Sequence, residues 1–146
     1  MKCFGYALRG FAAAFRRERN LRFHCAAAFH VILLGALCRL PAWSWAAALV
    51  CCALVIGAEL LNTALESLCD EVTREYSEKI RLAKDAAAAA VLVCAVFSAA
   101  VGLAVFIPRL GGAARTLAAH PALWAAIAAS LAVWIKLVFL SWRTKE

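Results

Sequence analysis

Four polar residues recur on one stripe of an otherwise apolar stretch, AELLNTALESLCD: Glu59, Asn62, Glu66 and Asp70. Their offsets from Glu59 are +3, +7 and +11. At about 100° per residue, all four fall within roughly 80° of helical arc. The spacing therefore predicts a helix with three carboxylates and an amide along one face. Glu59 and Asn62 have apolar neighbours on both sides. In a membrane span, burying such a carboxylate costs about 2.5 kcal/mol or more, so acids at that depth face protein or water and carry function. Glu71, Glu75 and Glu78 need no such account, because an acidic face leaving the bilayer simply meets water.

Lys84 and Asp85 open the next apolar run. Asp85 suits the N-cap of that helix. Lys84 opposes the macrodipole there, yet a helix N-terminus with a lysine beside it forms a phosphate site. Snorkelling toward lipid headgroups is the alternative account of Lys84. Glu18 is the only acid of the basic N-terminal segment, within RRERNLR. Two accounts of it stand together: a surface partner for Arg17 or Arg22, or a third carboxylate reaching the same mouth. As a set, these residues have the composition of a metal–nucleotide site at a membrane surface. Carboxylates hold Mg²⁺ together with substrate phosphates, a lysine steadies phosphate, and a further carboxylate near the lipid acts as base. No GxxxxGK[ST], GxGxxG, HRD or DFG motif occurs, so neither a P-loop nor a protein-kinase fold is supported.

The elements that must hold these residues are membrane helices. Of the 146 residues, 66% are hydrophobic and 17% charged, and the mean hydropathy is +0.81. That excludes a disordered chain, a collagen-like chain, a conventional soluble globule and a second independent core. Residues 1–22 form a basic amphipathic helix suited to the membrane surface, with Phe4, Leu8, Phe11, Ala12 and Phe15 at helical spacing. Spans follow at 23–40, ended by Pro41; from Trp43 into the low 60s; at 86–107; and at 122–142. The third span has 22 uncharged residues, about 33 Å of helix. Pro108, Gly111 and Gly112 predict a loop before the fourth. Trp43 and Trp45 mark an interface, and Ala86–Ala90 lets helices approach closely or merely fills a helix.

Lys and Arg cluster in the N-terminal segment, between spans two and three (Arg74, Lys79, Arg81, Lys84), and at the C-terminus (Arg143, Lys145). The positive-inside rule then puts both termini in the cytoplasm. The net charge of +7 lies in these flanks, not in a stripe that would bind nucleic acid. The seven cysteines lack zinc or CxxC spacing and read as small apolar residues.

Over residues 4–107 the sequence resembles the prokaryotic integral-membrane diacylglycerol/undecaprenol kinases. The resemblance rests on GYALRG at 5–10, Glu18, the ExxNTxxE run of Glu59, Asn62, Thr63 and Glu66, then Asp70, and AKD at 83–85. It implies a surface helix and three spans, assembled as a homotrimer with sites between subunits. It implies that Glu59 is the general base for a lipid hydroxyl, with Asn62 and Asp70 positioning. Glu18 and Glu66 would be the metal–nucleotide ligands, and Lys84 would contact ATP phosphates with Asp85 in support. Tyr6 and Arg9 fall at positions suited to nucleotide contacts. Glu18-Arg19-Asn20, with Arg22 and His24, looks more like the undecaprenol-kinase branch, since the Gram-negative diacylglycerol-kinase branch has an acid where His24 stands. The usual fold ends near the third span, so the fourth is an addition.

The expectation is an all-α membrane bundle in the bacterial inner membrane. Residues 1–107 would form the lipid kinase unit and 108–146 a loop and an extra span. Its activity would be transfer of phosphate from MgATP to a lipid alcohol, undecaprenol before diacylglycerol. The rival is a non-enzymatic transporter subunit or scaffold, which explains Glu59 but not Glu18, Glu66 and Lys84-Asp85 together.

Overall fold

A computed structural model describes residues 2–72 and 75–140 of the chain. Arg74, Trp142, Arg143 and Lys145, used above for the spans and the charge count, lie outside the described residues. The fold is all-α. Among the described residues, four helical segments are long and apolar enough to cross a membrane: Arg19–Leu37, Ala42–Val72, Glu78–Ala119 and Ala122–Phe139.

The basic N-terminal segment is broken where one helix was expected. Helix α1 (Lys2–Arg17) stops at Glu18, whose backbone is extended (φ −98°, ψ 119°), and α2 starts at Arg19. The break is held by Arg22. Its guanidinium donates to the carbonyls of Phe15 (3.1 Å) and Arg16 (3.0 Å), the groups that a helix end leaves unpaired. Leu21 beside it is fully buried, so the first turn of α2 is anchored in protein. Phe4, Leu8 and Phe11 stay exposed on α1, an apolar stripe with no protein cover.

Helix α2 (Arg19–Leu37) turns back through Arg39, which sits in the left-handed region (φ 48°). Arg39 donates to the Ala36 carbonyl and Leu40 to that of Gly35, each at 3.1 Å, so the last carbonyls of α2 are satisfied as in a glycine-ended helix. Pro41 then precedes α3 (Ala42–Val72). Gly35 is required at this corner, because a Cβ there would lie 2.8 Å from the Trp45 ring. Trp45 is therefore a packing residue, unlike the exposed Trp43. Helix α4 (Glu78–Phe106) packs antiparallel along α3. Leu40, Val105 and Phe106 close the far end of the bundle.

Two expectations fail at the ends of α4. Asp85 is not an N-cap: the helix begins at Glu78 after Ser77, because the charge-rich residues 78–85 continue the helix beyond the bilayer. Nor do Pro108, Gly111 and Gly112 open a loop. A 3-10 turn (Ile107–Arg109) leads directly into α5 (Leu110–Ala119). Pro108 lies at the start of that turn, where its missing N–H breaks no interior bond. None of the glycines takes a positive φ. Helix α6 (Pro121–Ile135) then returns and finishes in a π-helical turn (Lys136–Leu140). It lies on α2: His30 Nε2 and Ser130 Oγ are 3.2 Å apart, and Phe29 meets Trp134 at 6.0 Å between ring centroids. The six cysteines 25, 38, 51, 52, 69 and 94 are free and half-buried.

Candidate active site at the inner mouth of the bundle

About 20 helical residues cross the hydrocarbon core. Counted from Ala42, the core along α3 ends near residue 62, so Glu59 and Asn62 fall at its boundary and Glu66 and Asp70 beyond it. The burial pattern follows this register. Glu59 is 3% exposed and Asn62 9%, Glu66 is half-buried, and Asp70 is exposed.

Asn62 Nδ2 donates to Glu66 Oε1 at 2.9 Å, one turn along the helix. This fixes the Glu66 carboxylate and turns the other amide atom inward. Asn62 Oδ1 is buried and accepts no hydrogen bond from any described residue. An orphaned buried carbonyl of this kind costs about 1–3 kcal/mol unless a ligand satisfies it.

The break between α1 and α2 brings Glu18 to the same place. Glu18 pairs with Arg17 at 3.3 Å, and Arg17 also donates to Ser67 Oγ on α3 at 3.3 Å. Ser67 in turn donates to the Thr63 carbonyl at 2.9 Å. Glu18 and Glu66 are both near enough to Glu59 for their charges to act on it. Of the two partners considered for Glu18, the structure selects Arg17, while Arg22 is spent on the carbonyls of α1.

Lys84 reaches the site from α4. Its Nζ donates to Asp70 Oδ1 at 2.6 Å, tying the inner ends of α3 and α4 together. Lys84 lies in the second turn of α4, so the dipole argument does not apply to it; its neighbour Asp70 is what positions it. Both line a solvent-open cleft of about 740 Å³ with Cys69, Tyr76, Ser77 and Arg81. Asp85 is paired with Arg81 of this cleft at 3.0 Å. Arg81 also pairs with Glu78, which accepts from Tyr76. Arg9 stacks on Tyr6 (4.8 Å to the ring centroid), and both are exposed on α1, apart from the carboxylates of this chain.

Three elements thus converge: the α1–α2 break with Glu18, the polar face of α3 with Glu59, Asn62 and Glu66, and the start of α4 with Lys84. Arg17, weighed in the sequence only as a surface partner for Glu18, joins them together with Ser67, which was unforeseen because a lone serine carries no distinguishing spacing. Among the described residues, no three His, Cys, Asp or Glu side chains are already gathered at ligating distance around one point. The donors at hand are all oxygens, and one of them, Asn62 Oδ1, is buried without a partner. Such a set fits Mg²⁺, which takes one or two carboxylates and completes its shell with phosphates and water.

A family model of prokaryotic diacylglycerol kinases matches residues 5–106. An undecaprenol kinase of Bacillus subtilis (strain 168) is 41% identical over 109 residues, which is 75% of this chain and 89% of that protein. A diacylglycerol kinase of Synechocystis is 41% identical over 108 residues, 73% of this chain but only 62% of that longer protein. No solved structure matches at a significant level. With its membrane helices and its inner polar mouth, the chain belongs to the prokaryotic diacylglycerol kinase family and is a membrane lipid kinase.

Proposed function

We propose that the chain transfers the γ-phosphoryl group of ATP to the hydroxyl of a membrane lipid alcohol, with undecaprenol the first substrate and diacylglycerol the second. The observation that carries this reading is the buried Glu59 at the hydrocarbon boundary, one turn from the Asn62–Glu66 pair on the side facing the cytoplasmic mouth. The order of substrates is supported by Glu18-Arg19-Asn20 with Arg22 and His24, which look more like the undecaprenol-kinase branch.

The lipid hydroxyl arrives from the bilayer at Glu59, which accepts its proton. The oxygen bonds to the γ-phosphorus, the bond from that phosphorus to the β,γ-bridging oxygen breaks, and ADP leaves with the electron pair. Lys84, released from Asp70, holds the phosphates, and Asp70 and Asn62 position the groups around them. Glu66 and Glu18 would hold Mg²⁺, which would supply charge neutralisation at the phosphates. Tyr6, Arg9 and Asp85 lie outside the cluster of a single chain. Nucleotide contacts from them fit a homotrimer in which sites form between subunits. The basic flanks support both termini lying in the cytoplasm of a multi-pass inner-membrane protein. Phosphoryl transfer needs little covalent help, so catalysis rests on positioning and charge neutralisation.

The test is a kinase assay on the full chain in detergent micelles, with radiolabelled ATP, undecaprenol or diacylglycerol, and Mg²⁺ or a chelator. Lipid phosphorylation should require Mg²⁺ and be faster with undecaprenol. No turnover with either lipid sinks the proposal, and faster turnover of diacylglycerol reverses the order.

A further inference from the structure

A second cavity runs between α2, α3 and α4 within the spanning part of the bundle. Its volume is about 380 Å³, within the range of small-ligand sites. Along α2 its wall extends from His24 to Leu34, about 15 Å at 1.5 Å per residue, or half the hydrocarbon core. Small residues such as Ala28, Ala99 and Gly102 build the walls. In membrane bundles these residues usually allow helices to close on each other. Here they face a gap, and a Cβ on Gly102 would meet nothing within 4 Å.

The cavity is apolar in its chemistry as well as its residues. Ser98 is engaged with the Cys51 carbonyl at 3.4 Å. His30 is held between the Ala26 carbonyl at 2.8 Å and Ser130 at 3.2 Å. Little polar capacity remains to hold water, and an apolar cavity takes an apolar guest. The far end is closed by Leu40, Val105 and Phe106. The near end lies about one helical turn from the candidate active site. Val55 on the wall stands one turn before Glu59 on the same face of α3, and His24 on the rim stands six residues after Glu18.

We propose that this groove receives the first part of the hydrocarbon tail of the lipid alcohol and so sets tail selectivity. The proposal rests on the phosphotransfer reading above and adds the place where the tail is read. A tail laid along the wall past Val55 leaves its hydroxyl at Glu59, one helical turn toward the cytoplasm. The closed end limits how much rigid tail fits, and the remainder leaves through the open flank into the bilayer.

Two measurements test it on the full chain. In Gly102→Leu, the added side chain fills the groove without displacing backbone. The KM for a long-chain prenol should rise about tenfold, the KM for a short-chain prenol should change little, and the KM for MgATP should stay unchanged. Independently of turnover, a prenol with a diazirine on its third isoprene unit should label residues 48–55 and 95–106 in the wild type, and this labelling should fall in the variant. If Gly102→Leu fails to insert, Ala99→Val narrows the groove more gently and takes its place. Equal losses for long and short prenols with a changed oligomer size would assign the groove to a second copy of the chain and overturn the proposal. So would labelling elsewhere, or unchanged KM values. Groove labelling without any phosphorylation would instead remove the kinase reading and leave the groove as a lipid site.

Discussion

The part of the chain up to Phe106 and the part after it bury different things. In α1–α4, the buried polar side chains are Arg22, Ser44, Glu59, Asn62 and Thr63. Among the described residues from 107 onward, only Ala113 and Val138 are buried, and neither is polar. The first region keeps ionisable and amide groups at a depth where they cost stability, which is the mark of function in a membrane. The second packs on α2 through Phe29–Trp134, through Arg19 over the Phe139 ring and through the polar His30–Ser130 contact. Among the described residues, the added helix thus buries no polar side chain of its own.

The sharpest way to break that contrast is Glu59→Gln, which keeps the shape but accepts no proton. Turnover should fall by roughly 10²–10⁴-fold, the usual worth of a general base, while nucleotide binding measured on the same preparation is kept. Loss of MgATP binding would make Glu59 a metal ligand instead. Next come Glu66→Gln and Glu18→Gln. Each removes a negative oxygen donor, so the Mg²⁺ concentration for half-maximal activity should rise by about tenfold, equivalent to one 1.4 kcal/mol contact. Unchanged metal dependence in both would return these acids to a structural role. A smaller effect is expected for Lys84→Met: a several-fold rise in the KM for ATP with the melting temperature unmoved, since exposed ion pairs add little to stability. The mildest change is expected in the second region. A chain ending at Gly112 should retain kinase activity, and Ser130→Ala should cost about 0.6 kcal/mol of stability, typical of one intramembrane hydrogen bond. Complete loss of activity in a stable, inserted truncation would erase the distinction between the two regions.

The helices and the polar face of α3 were legible in the sequence because both rest on periodicity. A 3.6-residue repeat alone puts Glu59, Asn62 and Glu66 on one side, and apolar length alone marks a span. The features that were not legible depend on long-range contacts. Nothing local shows that Arg22 will cap α1 and break the N-terminal helix at Glu18. Asp85 has the right residue type for a cap, but the seven residues before it, four of them charged, also favour helix, and the start moved to Glu78. Gly111 and Gly112 read as a turn, yet glycine only permits one; with Pro108 at the head of a 3-10 turn, the chain kept its helical path. The pairing of Lys84 with Asp70 needed the α3–α4 hairpin, which joins residues fourteen apart in sequence.

The break at Glu18 has a mechanical consequence. One helix before it has the face of an interfacial element, and the one after it has the length of a span, so the extended residue between them is a joint. A spanning helix changes its tilt when the bilayer thickens or thins, whereas an interfacial helix follows the surface. The angle between them, and with it the aim of the Glu18 carboxylate, is then set by the membrane. A thicker or thinner bilayer acts on this joint as a hand on a lever, and activity should peak at one lipid chain length and decline on either side of it.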